Sequence, residues 1–215
     1  EQVEKEFHDD WASNVDVSSI SVIEAFETPV GPENVRIMEW LGSGGRPDLR
    51  GERVLELGCG MGEASVYFAM CGAEVVATDI SRGMLSVAER LASRFDVKID
   101  TLQTSASELS TFPENTFDIV YAANVLHHVH IPTCMQQVYT ILRPGGEAFF
   151  WDPLAYNPII NVYRRIAKKL RTPDELPLTR ADIAIVRSIF DQTETEFYWI
   201  TGLAVFIKYF VWGRL

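Results

Sequence analysis

The sequence predicts an α/β fold: a doubly wound, mostly parallel sheet with helices on both faces. Three observations point there. Arg53-Val54-Leu55-Glu56-Leu57 is a short apolar run carrying a single acid near its end, the pattern of a strand buried on both faces. Gly58, Gly60 and Gly62 then alternate with Cys59 and Met61 through a tight turn into a helix-like run, Ala64–Ala69. Further short apolar runs alternate with helix-like ones as far as Asp152, as parallel sheets require. A glycine turn between a strand and a helix N-terminus is where such sheets place nucleotide-like ligands. A dinucleotide fingerprint needs Gly or Ala at the sixth position of G-x-G-x-x-G, and that position is Glu63.

The elements follow in order. Phe7, Trp11 and Val15 recur at helical spacing, and Ile20–Phe26 and Val35–Leu41 are further helix-like runs. Gly42–Pro47 reads as a connector to the first strand. The helix after the glycine turn ends near Cys71, with Gly72 as its C-terminal cap. Glu74–Asp79 is the second strand, and Asp79 lies 17 residues beyond Gly62. An acid in that place accepts both hydroxyls of a ribose, or else caps the helix that starts near Ser81. Ser86–Phe95 continues that amphipathic helix, and Val97–Leu102 is the third strand. Asp118 opens the fourth strand and Asn124 falls just past its end, with His127 and His128 starting the next helix. Thr133–Leu142 is a helix, Arg143–Gly146 a turn, and Ala148–Asp152 the fifth strand.

The stretch V-L-E-L-G-C-G-M-G, together with Asp79, F-D-I-V-Y-A-A-N-V-L-H-H-V and L-R-P-G-G, resembles in order the motifs of class I S-adenosyl-L-methionine (SAM)-dependent methyltransferases of the type-11-like group. The resemblance covers about half the chain, Val54–Asp152. It implies a Rossmann-like seven-stranded sheet and SAM as cofactor, leaving S-adenosyl-L-homocysteine as product. Glu56, Gly58, Cys59, Gly60 and Gly62 would then hold the methionine part, where the strand acid suits an ammonium and would repel a pyrophosphate. Asp79 would hold the ribose, and Ile80 and Met84 would line the adenine. Many relatives carry an Asp at Ser105; here a hydroxyl or a backbone contact at Ser105 or Ala106 replaces it. Asn124 would face the cofactor.

The resemblance divides the chain into a helical lid (1–45), a cofactor-binding core (46–152) and a C-terminal substrate-binding part (153–215). Trp11 and His8 are lid candidates, with packing of Trp11 onto the sheet as the plainer reading. Tyr156 and Asn157 leave the fifth strand at the active edge, within reach of a methyl acceptor. His127 and His128 are candidate proton acceptors, His128 ahead, or else pocket lining. Methyl transfer from a sulfonium is an in-line displacement driven mainly by positioning, so a general base is not obligatory.

Composition narrows the partners. At 215 residues and nearly half hydrophobic, the chain suits one folded domain. A net charge of -11 argues against nucleic acid as the main partner, since phosphate contacts need a basic face. Cys59, Cys71 and Cys134 form no disulfide framework and no metal-ligand spacing, which fits a reducing cytoplasm. No signal peptide is visible, and a start at Glu1 reads as trimmed.

Two C-terminal stretches stay open. Ile159–Leu170 reads as a helix whose Arg164, Arg165, Lys168 and Lys169 form a solvated face, or else hold an anionic group or lipid. Phe197–Trp212 is apolar and aromatic but short for a membrane span. It either begins the sixth strand or forms a helix that meets a membrane, a partner or an oily substrate. No convincing seventh strand precedes Leu215, as a clipped chain would also explain. The expected function is methyl transfer from SAM to a small, hydrophobic acceptor. The alternatives are a nicotinamide-dependent oxidoreductase, or a SAM-binding protein without turnover.

Overall fold

The computed structural model describes residues 2–28, 32–42, 46–156 and 177–198. Within them, five strands form one parallel sheet: β1 (Arg53–Leu57), β2 (Glu74–Asp79), β3 (Asp100–Gln103), β4 (Phe117–Ala123) and β5 (Leu142–Trp151). Their spatial order is β3-β2-β1-β4-β5, so the direction of winding reverses between β1 and β4. In such sheets the crevice for a ligand opens at the carboxyl ends of the strands flanking that reversal.

Strand alternation sends successive side chains to opposite faces, and both faces are covered. Val54 points into the layer built by α4 (Glu63–Met70) and α5 (Arg82–Arg94), with Tyr67, Phe68, Met84 and Leu91 in its core. Leu55 and Leu57 point the other way, onto Met135, Val138 and Ile141 of α6 (Ile131–Ile141). Glu56 therefore shares the face of Val54 and meets α4. The leading residues form α1 (Gln2–Ser13), α2 (Val22–Glu27) and α3 (Pro32–Leu41). Phe26 of α2 stacks on Tyr67 of α4 with ring centres 4.7 Å apart, which ties this layer to the core.

Several boundaries differ from expectation. His127 and His128 lie in a single 3-10 turn, Leu126–His128, and α6 starts only at Ile131. Pro132 sits in its first turn, where a missing N–H costs nothing. The third strand is shorter than Val97–Leu102 and begins at Asp100. Arg143–Gly146, read as a turn, interrupts β5: Leu142 pairs with Phe117 and the ladder resumes at Glu147 opposite Ile119. A helix α7 (Arg180–Ile189) was not expected, although Thr179 and Asp182 form the capping box that announces it. The basic helix over 159–170 and nearly all of the apolar stretch over 197–212 lie outside the described residues, as would a sixth and a seventh strand.

Candidate active site

The glycine turn fixes the site's geometry. Gly58, Gly60 and Gly62 all have positive φ, at 62°, 51° and 88°. A Cβ on Gly62 would lie 2.5 Å from the Cβ of Ala88, so this glycine lets α4 start tight against α5. A Cβ on Gly60 would meet nothing within 4 Å, so it faces open space at the strand ends. The first glycine opens a way out of the sheet, the second leaves room for a ligand, and the third packs two helices.

Asp79 closes the turn from β2. Its Oδ2 accepts from the Gly60 N–H at 2.9 Å and its Oδ1 from the Ser81 N–H at 2.8 Å. Burial raises its pKa against the effect of those amides. Each oxygen keeps a second lone pair, the arrangement a ribose diol needs. Ser81, not Asp79, caps α5, with its hydroxyl accepting from Met84 N–H at 3.0 Å. The capping reading of Asp79 therefore belongs to its neighbour.

Glu56 is 4% exposed, and its carboxylate accepts a hydrogen bond from Ser65 Oγ of α4. Cys59 is buried in the same turn, its thiol pKa pushed well up by burial. A cavity of about 290 Å³ lies beside β2 and β3, lined by Gln2, Lys5, Ile80, Gln103, Thr104 and Ser105. Ile80 and Ser105 were expected there. Met84 is fully buried and Ala106 nearly so, Met84 in the core on the α4–α5 side of the sheet and Ala106 in the core on the α6 side. Gln103 was missed; its side chain donates to Ile80 O at 2.9 Å and so shapes the same wall.

Helix α1 lies over this edge. Asp9 accepts from Ser81 Oγ at 2.5 Å and from Gly83 N–H at 3.1 Å, and Lys5 holds it from the other side at 2.6 Å. These donors keep the Asp9 carboxyl down at about 2. Gly83 is required by the contact, since a Cβ there would lie 2.9 Å from the Cβ of Ala12. Glu4 and His8 follow one turn apart, with Glu4 Oε1 3.1 Å from His8 Nε2 and 3.7 Å from His128 Nε2. His8 Nδ1 is buried with no hydrogen-bond partner among the described residues. Trp11 is 47% exposed and stacks on His8 rather than on the sheet. Replacing Asp9 by Ala should loosen α1, costing about 0.5–1.5 kcal/mol of stability. The expected result is a faster proteolytic cut near residue 14 with the core intact, read by gel and mass spectrometry.

The two histidines are set apart by their partners. His127 is buried, and its Nδ1 lies 2.7 Å from Oδ1 of Asp152, which also accepts the His127 N–H at 3.2 Å. Asp152 Oδ2 accepts the Leu126 N–H at 3.3 Å, so one carboxylate shapes the whole turn. His128 is partly exposed beside Glu4. Asn124 is exposed at the end of β4, with positive φ. Tyr156 is exposed and its hydroxyl accepts from Arg180 N–H at 3.3 Å. Asn157 lies outside the described residues.

A SAM molecule fits these features. Gly60 leaves space in the turn, Asp79 offers two oxygens beside it, and Ile80, the next residue, lines the 290 Å³ pocket. Among the described residues no group of acids, histidines and cysteines forms a metal site, and no helix is long and apolar enough to cross a membrane.

Comparison with known proteins agrees. Residues 54–146 match a family model described as a methyltransferase domain. A ubiquinone biosynthesis O-methyltransferase of Pseudomonas putida is 30% identical over 149 residues, which cover 64% of this chain and 63% of that protein. Among solved structures, the YcgJ protein of Bacillus subtilis superposes with a TM-score of 0.60 at 20% identity, over 73% of this chain and 66% of that one. The phosphoethanolamine N-methyltransferase 2 of Haemonchus contortus, in complex with SAM, gives 0.59 at 21% identity, over 85% of this chain and 44% of that one. Both structures are similar in fold. The chain spans less than two thirds of the length of its P. putida relative. The similarity to a methyltransferase domain over residues 54–146 takes in the glycine turn, Asp79 and the turn after β4.

Proposed function

We propose that the protein methylates an oxygen of a small, hydrophobic acceptor, with SAM as methyl donor. The observation that carries this reading is the meeting of α1 with the turn after β4. There Phe7 and Trp11, both about half exposed, flank His8 and lie on the same helix as Glu4, which reaches His128. Aromatic surface of that kind suits an apolar ring, and the name of the P. putida relative supports oxygen as the acceptor atom.

Bound SAM supplies an electrophilic methyl on its sulfonium. Asp79 orients the ribose, Glu56 and the glycine turn hold the methionine end, and α1 excludes water. The acceptor oxygen gains the methyl as the sulfur leaves with its bonding electrons. The acceptor's proton passes to the imidazole of His128, and the carboxylate of Glu4 stabilises the imidazolium. His127, locked by Asp152, positions that turn. Trp11 and Tyr156 line the acceptor side.

The test uses SAM with a labelled methyl and a panel of phenols, catechols and aromatic amines, for wild type and His128→Ala. Labelled ether is expected from wild type. A general base contributes about 10²-fold or more, so the variant should lose roughly that in kcat with its S-adenosylhomocysteine affinity within threefold. Label appearing on amines alone would overturn the oxygen assignment. Tight cofactor binding without any product would favour the reading without turnover.

A further inference from the structure

The glycine turn gathers three carboxylates, and among the described residues no Arg or Lys forms an ion pair with them. Glu56 leaves β1, Glu63 opens α4 and Asp79 ends β2. Among the described residues, the ion pairs of Arg, Lys and His engage other acids. The other titratable groups facing this cluster are the Cys59 thiol, the Tyr121 phenol of β4 and His8 of α1, with Glu33 of α3 acting on Tyr121. Tyr121 donates its proton to Asn34 Oδ1 at 2.9 Å, so it is no cation source. His8 alone is a base, and it acts on Asp79.

Crowded acids in a dry turn do not all ionise. Burial pushes Glu56 up to about 8, and the charges of Glu63 and Asp79 push the same way against the hydrogen bond from Ser65. Glu63 and Asp79 are raised too, again by burial. A ligand ammonium brought to the turn supplies the missing positive charge.

We propose that binding of the cofactor's α-ammonium here is coupled to the release of one proton from the Glu56–Glu63–Asp79 cluster, with Ser65 holding the ionised Glu56 in place. This rests on the cofactor assignment above. The carboxylic acid loses its proton to solvent as the carboxylate pairs with the ammonium, so charge balances. The ionised acid is the binding form. Affinity therefore rises about tenfold per pH unit below the raised pKa and levels above it.

The experiment titrates S-adenosylhomocysteine calorimetrically into the whole chain at pH 7, in phosphate and in Tris, which differ in ionisation enthalpy. Kd is then followed from pH 6 to 8.5. Wild type should release about one proton per ligand and tighten about tenfold between pH 6 and 7. Glu56→Gln should bind more weakly, with a flat profile and the release lost. Ser65→Ala removes a bond that favours the ionised form, so it should move the plateau to higher pH while the fold survives. A buffer-independent enthalpy with a flat wild-type profile would overturn the coupling, as would unchanged release in Glu56→Gln. Failure of wild type to bind at all would overturn the cofactor assignment itself, and the coupling with it.

Discussion

Asp79→Ala should weaken S-adenosylhomocysteine binding by roughly 100- to 10,000-fold. A hydrogen bond to a charged group contributes about 1.5–3 kcal/mol, and the carboxylate has one oxygen for each ribose hydroxyl. Two such bonds, at about 1.4 kcal/mol per factor of ten, give that range. The same oxygens receive Gly60 and Ser81 N–H groups, so the substitution also loosens the turn that carries the open face of Gly60. Calorimetric titration of wild type and variant, with thermal melts beside it, separates the two effects. A loss under fivefold in a variant that melts normally would remove Asp79 from the binding site.

The second large effect separates two glycines two residues apart. Gly62→Ala places a methyl 2.5 Å from the Ala88 Cβ and 2.9 Å from its Cα, at a φ of +88°. Backbone strain of about 1–2 kcal/mol adds to overpacking of about 1–3 kcal/mol, because a helix backbone cannot give way as a side-chain tip does. At about 2–4 °C per kcal/mol for a domain of this size, the melting temperature should fall by roughly 4–20 °C. Gly60→Ala meets no protein atom within 4 Å, so only backbone strain of about 1 kcal/mol applies. Its methyl would enter the ligand's space, and affinity for S-adenosylhomocysteine should drop more than tenfold. Melting curves and titrations on both variants check this. The reverse order, with Gly60→Ala the less stable and Gly62→Ala the weaker binder, would contradict the roles assigned to the turn.

The parts of the site readable from sequence are those set by local spacing. Val54 to Gly62 specifies strand and turn within nine residues and leads straight into α4, and Asp79 is tied to it through the neighbouring parallel strand. Contacts between distant segments carry no such signal. Ser65 reaches Glu56 because both sit on one face of β1 and α4, yet a serine in a helix is ordinarily unremarkable. Asp9 meets Ser81 across 72 residues of sequence, and Asp152 meets His127 across 25. Neither pairing has a period to reveal it. The histidines illustrate the limit: adjacent in sequence, they differ in role because one faces Asp152 and the other Glu4. The break in β5 was hidden for another reason, since Arg-Pro-Gly-Gly has the chemistry of a turn wherever it stands.

The central claim, that the glycine turn and Asp79 hold a methionine-bearing nucleoside, is tested most directly by titrating the wild-type chain with S-adenosylhomocysteine and, in parallel, with NADH. Saturable 1:1 binding of the thioether with no heat from NADH is the predicted result. Binding of NADH without the thioether would contradict it and return the turn to the nicotinamide-dependent oxidoreductases.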